Sequence, residues 1–420
     1  MPPARSTCHQ QCFAMLTKAD TEGLRQHNRA RVLSALRKSG ALSHTEIAAK
    51  TGLSSATVSA ITGDLSSDGT LERAENLSSP GRGRPRLLFR PARRAGFIVT
   101  IRITSAAIQY SLVDYGGVLS DRIETDRIPP ELGVTAFLDD IRSSIKRLLR
   151  RSGAKGTEIL ALAVTSKGLV DPDDPVLVWS PIFGMHRIDF QMLLDTEFCP
   201  RLSVLNETQL LAIALYNRAQ ASGTPSSSLI ALSLGHSIGL GIVQVTGEGT
   251  IQTHAPNFGH MLHHPGGALC RCGSQGCIEA YAGFYAILRT AFEVPPDTLP
   301  AKFVPLSEIE KIATKARRGD RMAQYAFRQA GQALGNGLAR VISLFQRMPI
   351  VVAGPGISFF DLLEEGIGKG LSQSLGIRLE GLPSISISGD EDNLVHQGTV
   401  QQTLADIDRT IMATRHQASA

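Results

Sequence analysis

The chain has 420 residues, 42% of them apolar, which is enough for more than one domain with a sizeable core. No stretch approaches about eighteen consecutive apolar residues, which argues against a membrane-spanning helix, and the residues around Arg5, His9 and Lys18 form no apolar secretory core, so a cytoplasmic location is expected. Net charge is +5 overall, but residues 1–95 carry +8 and the remainder −3, a basic head suited to meeting a polyanion on a mildly acidic body.

Residues 1–20, with Cys8-His9 and Cys12, read as a disordered tail. From about Arg25 to Lys38, Ala30, Val32, Leu33 and Leu36 recur at helical spacing between arginines, and Gly40 stops the helix. Ser43-His-Thr-Glu46 reads as a capping box that opens a short helix to Thr51. Gly52 supplies the tight turn, and Ser54 caps a second helix to about Ser66. Gly69–Glu72 and Arg86–Phe89 suggest the two strands of a wing, so residues 21–92 are expected to form a winged helix-turn-helix. Its second helix would offer Ser54, Ser55, Ala56, Thr57 and Ser59 to the major groove of double-stranded DNA. These small residues make no bidentate base contacts, so modest direct readout is expected. Arg29, Arg31, Arg37 and Lys50 are candidate phosphate partners. In the wing, Arg82 and Arg84 of Arg-Gly-Arg-Pro sit on a slim extended strand suited to a narrow minor groove.

From Gly96 the pattern becomes α/β. Strands are expected at 97–103, 107–113, 159–165, 229–234, 239–245, 350–353 and 384–388. Helices are expected at 134–151, 207–220, 279–292, 306–318, 320–347 and 358–374. Two β-rich blocks, each followed by helices, imply two lobes with a cleft between them across residues 93–420.

Cys270, Cys272 and Cys277 fall within eight residues and follow Gly259-His260. Three thiolates and one imidazole complete a tetrahedral zinc shell, and such a closed site would be structural. His263 and His264 compete with His260 on spacing alone. Cys199 reads as a buried apolar filler, and His236 as a surface or packing residue.

The stretch GHMLHHPGGALCRCGSQGCIEAYAG resembles the signature of the ROK family, which joins sugar kinases to regulators of the NagC/XylR type. In the same order, the winged head resembles that of the family's regulators, and the run Gly331–Leu338 with the segment Pro349–Gly354 resembles the family's C-terminal lobe. The resemblance implies a two-lobed actin-like, hexokinase-type (ribonuclease H-like) body, structural Zn2+ on His260 and the three cysteines, and homodimers or homotetramers. It also implies a sugar or sugar phosphate effector in the cleft, met by Asn206, Glu207, Asn257, His260 and Glu279. Asn206 reads equally as a helix cap, and Glu279 as a support for the metal loop.

Set against the family's kinases, this sequence departs at each phosphate loop. Thr100-Ile-Arg102-Ile-Thr104 stands where they have Asp-x-Gly-Gly-Thr, His236-Ser237 interrupts the second glycine loop, and Pro355 interrupts the third. Phosphoryl transfer rests on positioning and electrostatics, so no enzymatic activity is expected. The expected function is a sugar-responsive transcriptional regulator, a repressor of carbohydrate uptake or catabolism genes. The alternative is an active sugar kinase with a regulatory head.

Overall fold

The computed structural model describes residues 8–74, 87–105, 107–126, 133–183, 187–195, 198–223, 226–246 and 251–417, with side chains between residues 23 and 409. Helix α1 (Cys8–Ser39) is continuous, so it starts inside the segment read as a disordered tail. Gly40 turns the chain into β1 (Leu42–Ser43), α2 (His44–Thr51) and α3 (Ser55–Ser67). The capping box is present in full: Ser43 Oγ accepts the Glu46 N–H, and Glu46 accepts the Ser43 N–H at 2.8 Å. Gly52 ends α2 at φ 68°, a left-handed conformation that costs a side-chain-bearing residue roughly 1 kcal/mol or more. Ser54 caps α3 by accepting the Thr57 N–H at 3.1 Å. Val32, Leu33 and Leu36 of α1 pack on Ile47, Val58, Ile61 and Leu65 to close a small core. The wing strands β2 (Leu71–Ala74) and β3 (Leu88–Pro91) pair antiparallel, with β1 on the far side of β3.

The first lobe opens with a meander of β4 (Phe97–Ile103), β5 (Ala107–Asp114) and β6 (Leu119–Asp126). Helix α4 (Gly133–Ser152) lays its apolar face, Phe137, Ile141, Ile145 and Leu148, onto this sheet. Then come β7 (Ile159–Ser166), a small antiparallel sheet of β8 (Leu169–Val170), β9 (Val176–Trp179) and β10 (Ile188–Asp189), and β11 (Arg201–Asn206), which runs directly into α5 (Glu207–Ala221).

The second lobe repeats the plan with β12 (Ser228–Ser233), β13 (Gly239–Val245) and β14 (Ile251–His254). After them follow α6 (Glu279–Ala282), α7 (Phe284–Ala291), α8 (Leu306–Arg317), α9 (Arg321–Phe345), β15 (Ile350–Ala353), α10 (Phe360–Leu371), α11 (Leu375–Glu380), β16 (Ile385–Ile387) and α12 (Glu391–Gln417). The two large sheets run β11-β7-β4-β5-β6 and β14-β13-β12-β15-β16. In each, the lobe's first strand is central, with the antiparallel meander on one side and two parallel strands on the other. One topology used twice around a cleft is the actin-like, hexokinase-type body.

Several elements depart from the sequence expectations. The helix expected at 279–292 breaks at Gly283 into α6 and α7. Strands β6, β11 and β14 and helix α12 were not anticipated. β6 buries a single residue, Ile123, and so shows no alternation. α12 buries Val395, Thr399, Thr403 and Ile407 at four-residue spacing, and the two threonines hide the stripe from a hydrophobicity reading.

Helix α12 returns across the molecule, packing along α5 and against β4 and β7. Val400, Leu404 and Ile407 join Ile98, Val113 and Tyr115 of the first lobe in one cluster. At its N-terminal end Asp392 meets Arg102. Sixteen residues on, about 24 Å along a straight helix, Asp408 receives Arg37 of α1. Arg37 donates to both Asp408 oxygens, at 2.6 and 2.8 Å, and to the Tyr115 carbonyl at 2.8 Å, and its guanidinium lies 4.5 Å from the Tyr115 ring centre. The Tyr115 hydroxyl also donates to Asp408 at 2.6 Å.

Candidate functional sites

The DNA-facing candidate is α3. Val58, Ile61, Thr62 and Leu65 face inward, leaving Ser54, Ser55, Ala56 and Ser59 exposed and Thr57 half-buried on the other side. Three of the four basic residues read as phosphate partners are already engaged. Arg29 is buried and paired with Asp68 at 2.8 Å, Arg31 donates to the Thr51 carbonyl, and Arg37 is the clamp to Asp408. Arg29 thus ties α1 to the end of α3 and is corrected from DNA contact to packing residue. Lys50 remains exposed. Arg82 and Arg84 lie outside the described residues.

His260, Cys270, Cys272 and Cys277 converge with their ligand atoms within 4.8 Å of one another. The Cys272 and Cys277 sulfurs are 3.7 Å apart, and Cys270 Sγ is 3.5 Å from His260 Nδ1. A zinc tetrahedron with bonds of about 2.3 Å to sulfur and 2.0–2.1 Å to nitrogen has edges of about 3.8 and 3.6 Å, so the donor set fits such an ion. Burial pushes the Cys270 thiol up to about 11, with the Glu279 charge second, and pushes Cys277 up further, with Cys270 and Cys272 adding. Without a cation, both thiols therefore stay protonated at neutral pH. His263 packs on Tyr281 instead, so the choice left open by spacing falls on His260. Cys199 is exposed, not the buried filler expected.

Between the lobes lies a narrow recess, with a volume of about 50 Å3, lined by Asn206, Asn257, His260 and Glu279 among others. Trp179, the only tryptophan, forms its apolar wall and stands edge-on to His260 at 4.9 Å between ring centres. Asn206 caps α5, its oxygen accepting the Thr208 and Gln209 N–H groups while its amide donates to the Gly168 carbonyl at 2.7 Å. The cap reading is therefore present, and the same side chain fixes the recess wall. Glu279 is fully buried, held by Arg271 at 3.0 Å and by the Ile238 N–H at 3.1 Å. Asn257 is exposed at the rim.

Glu207 departs from expectation. It does not line the recess. Its carboxylate is buried against Arg102, which donates from Nε at 2.7 Å and from Nη2, and Arg102 Nη1 reaches Asp392 at 2.6 Å. Arg102 neutralises this buried carboxylate through its Oε1, so in this structure Glu207 serves as the counter-ion of Arg102 and not as a lining residue of the recess. The sequence signal was Arg102 itself, read only as a loss to the phosphate loop. His236 stacks on Phe303 at 4.7 Å and packs edge-on to Phe284, in the packing role expected of it.

The ROK family profile matches residues 108–398, and a profile described as winged helix-turn-helix DNA-binding matches residues 25–72. The chain belongs to the ROK family. The DNA-binding transcriptional dual regulator NagC of Escherichia coli (strain K12) is 25% identical over 337 residues, covering 79% of this chain and 81% of its own length. A glucokinase of Streptomyces coelicolor is 27% identical over 287 residues, covering 65% of this chain and 86% of its own length. The crystal structure of a ROK family transcriptional regulator, a homolog of the E. coli MLC protein, superposes with a TM-score of 0.70 at 20% identity, covering 93% of this ROK chain and 98% of its own.

Proposed function

We propose that this ROK protein is a sugar-responsive transcriptional regulator, a repressor of carbohydrate uptake or catabolism genes, acting in the cytoplasm as a homodimer or homotetramer. The observation that carries the reading is the junction of a winged head, presenting one small-residue face of α3, to a two-lobed body in which Arg102 occupies Glu207. In this reading α3 enters the major groove with Ser55, Ala56, Thr57 and Ser59 at the base edges, and the wing carries Arg82 and Arg84 into the minor groove. A sugar enters the recess at Asn206, Asn257, His260 and Glu279. His260 serves two sites, with Nδ1 toward the thiols and the rest of the ring on the recess wall.

Zn2+ on His260, Cys270, Cys272 and Cys277 supplies structure, fixing the loop that carries His260 and leads into Glu279. Binding in the recess shifts the lobes, and α12, fastened to the cleft at Asp392 and to the head at Asp408, transmits the shift to α1. In a dimer this changes the spacing of the two heads against the roughly 34 Å repeat of the groove.

The test is a gel shift of the chain's own upstream region with and without candidate sugars. Sequence-selective binding that a sugar weakens is the expected result, and failure to bind any local intergenic DNA at low salt overturns the reading. The similarity to a glucokinase favours a second reading, an active sugar kinase. It requires ATP-dependent phosphorylation of a hexose at ordinary turnover, about 1–100 s−1. Arg102 opposes it, because the carboxylate that would take the hydroxyl proton is held as an ion pair.

A further inference from the structure

The donor set around His260 poses a question of charge. A divalent ion held by three thiolates and one neutral imidazole leaves the centre with one net negative charge. Cys270 and Cys277 are buried, where an uncompensated anion is costly. Of the cations beside this loop, Arg271 is already spent. Its guanidinium holds fully buried Glu279 at 3.0 Å and donates to the His236 carbonyl.

Arg289 is not spent. It projects from α7, is buried, and has no carboxylate within ion-pair distance among the described residues. Its hydrogen-bond partners are carbonyls: Nη1 donates to Leu269 and to Pro296, both at 3.1 Å, and Nη2 donates to Ala280 at 2.6 Å. Leu269 directly precedes Cys270, and Ala280 follows Cys277 by three residues, so one guanidinium grips both flanks of the cysteine run. Tyr285, one turn earlier on α7, links this cation to the donors. The Arg289 guanidinium lies 5.9 Å from its ring centre, and its hydroxyl donates to Cys270 Sγ at 3.5 Å. Burial pulls the Arg289 pKa below the ordinary guanidinium value, and Tyr285, Tyr281 and Cys270 are the groups that oppose this. Of the three, only a metal-bound thiolate carries negative charge at neutral pH.

We infer that Arg289 is the buried counter-charge of the metal centre, facing it across Tyr285, and so a positioning residue for the ion rather than a ligand. The metal-free chain keeps a buried cation among carbonyl dipoles alone. Loading the ion supplies the missing anion, so the pair stabilises the loaded form selectively. This inference rests on the metal reading above.

The experiment measures zinc affinity by competition with a chromogenic chelator, and melting temperature with and without zinc, in the full chain, Arg289→Gln and Arg289→Lys. Arg289→Gln keeps a donor for the carbonyls and loses the charge. It is expected to weaken zinc binding about 10–100-fold, the loaded form losing more melting temperature than the metal-free form. Arg289→Lys keeps the charge and loses the planar fork, so most of the affinity is retained while the metal-free form melts lower. Unchanged zinc affinity in Arg289→Gln, with both forms destabilised equally, identifies a carbonyl clamp of purely structural effect and overturns the inference. Arg289→Lys losing as much affinity as Arg289→Gln overturns it as well. If Arg289→Gln does not fold, Arg289→Lys decides alone: affinity kept beside a lower metal-free melting temperature supports the inference, and affinity lost overturns it. An unsubstituted chain that binds no zinc overturns the metal reading, and this inference with it.

Discussion

At the residue scale, Arg102 decides more than any other side chain. It stands on β4 where the family's kinases keep a glycine loop open, and it spends its donors on Glu207 and Asp392. Burial opposes its charge, but Glu207 and Asp392 outweigh that and raise its pKa further above the ordinary guanidinium value. Removing one member of so buried a pair leaves the other uncompensated. Arg102→Met is therefore expected to lower unfolding stability by about 3–5 kcal/mol, read by denaturant melts, and Arg102→Met/Glu207→Leu to recover much of it. A double variant no more stable than the single one contradicts the pair. At the same scale, Asn206 shows how one amide serves two purposes, as helix cap and as anchor of the Lys167-Gly168 turn.

At the element scale, the loop that carries the four donor residues and α12 each carry a testable stability. The loop from His260 to Cys277 contains little regular structure, only isolated bridges such as Leu262 with Cys277, so its fold depends on what holds the four donors. Exhaustive chelation is expected to release about one equivalent of zinc per chain, measured by elemental analysis, and to lower the melting temperature. Cys272→Ser should bind none. On α12, burial, followed by the charges of Arg122 and Arg102, depresses the His396 pKa from 6.5 to about 4. A histidine whose folded pKa is depressed is protonated more readily in the unfolded chain, so stability rises with pH through this window and is lost as pH falls from about 6.5 toward 4. His396→Gln is expected to flatten the melting-temperature profile between those limits. An unaltered profile argues against His396 as its source.

At the scale of the whole molecule, a clamp of Arg37 against Asp408 and Tyr115 fastens the head to the body, on the same helix that reaches the cleft. Asp408 is nearly fully buried, so Asp408→Ala strands a buried guanidinium. That variant should loosen the head without unfolding either lobe. The expected signs are faster hydrogen exchange in α1–α3, and DNA affinity that no longer responds to a recess ligand although the ligand still binds. Sugar response retained in full by Asp408→Ala would show that the signal takes another route. Because Tyr115 belongs to the first lobe and Asp408 to the last helix, the clamp joins three parts of the chain that are far apart in sequence.

The sequence by itself determined the elements whose causes are local. The capping box at Ser43–Glu46, the left-handed turn at Gly52, the Ser54 cap and the sequence-close cysteines are each written within a few residues, and each stands where the pattern put it. Most of the strands and helices that carry a clear apolar period were legible for the same reason. Tertiary structure alone decided which charges meet. Arg29, Arg31 and Arg37 look alike as basic residues on one helix, but the fold spends them on Asp68, a carbonyl and Asp408. Glu207 looked like a ligand carboxylate until Arg102, more than a hundred positions earlier, was placed beside it on β4, two strands away from β11 in the same sheet. An ion pair depends on distance in space and on burial, and neither is encoded by spacing along the chain.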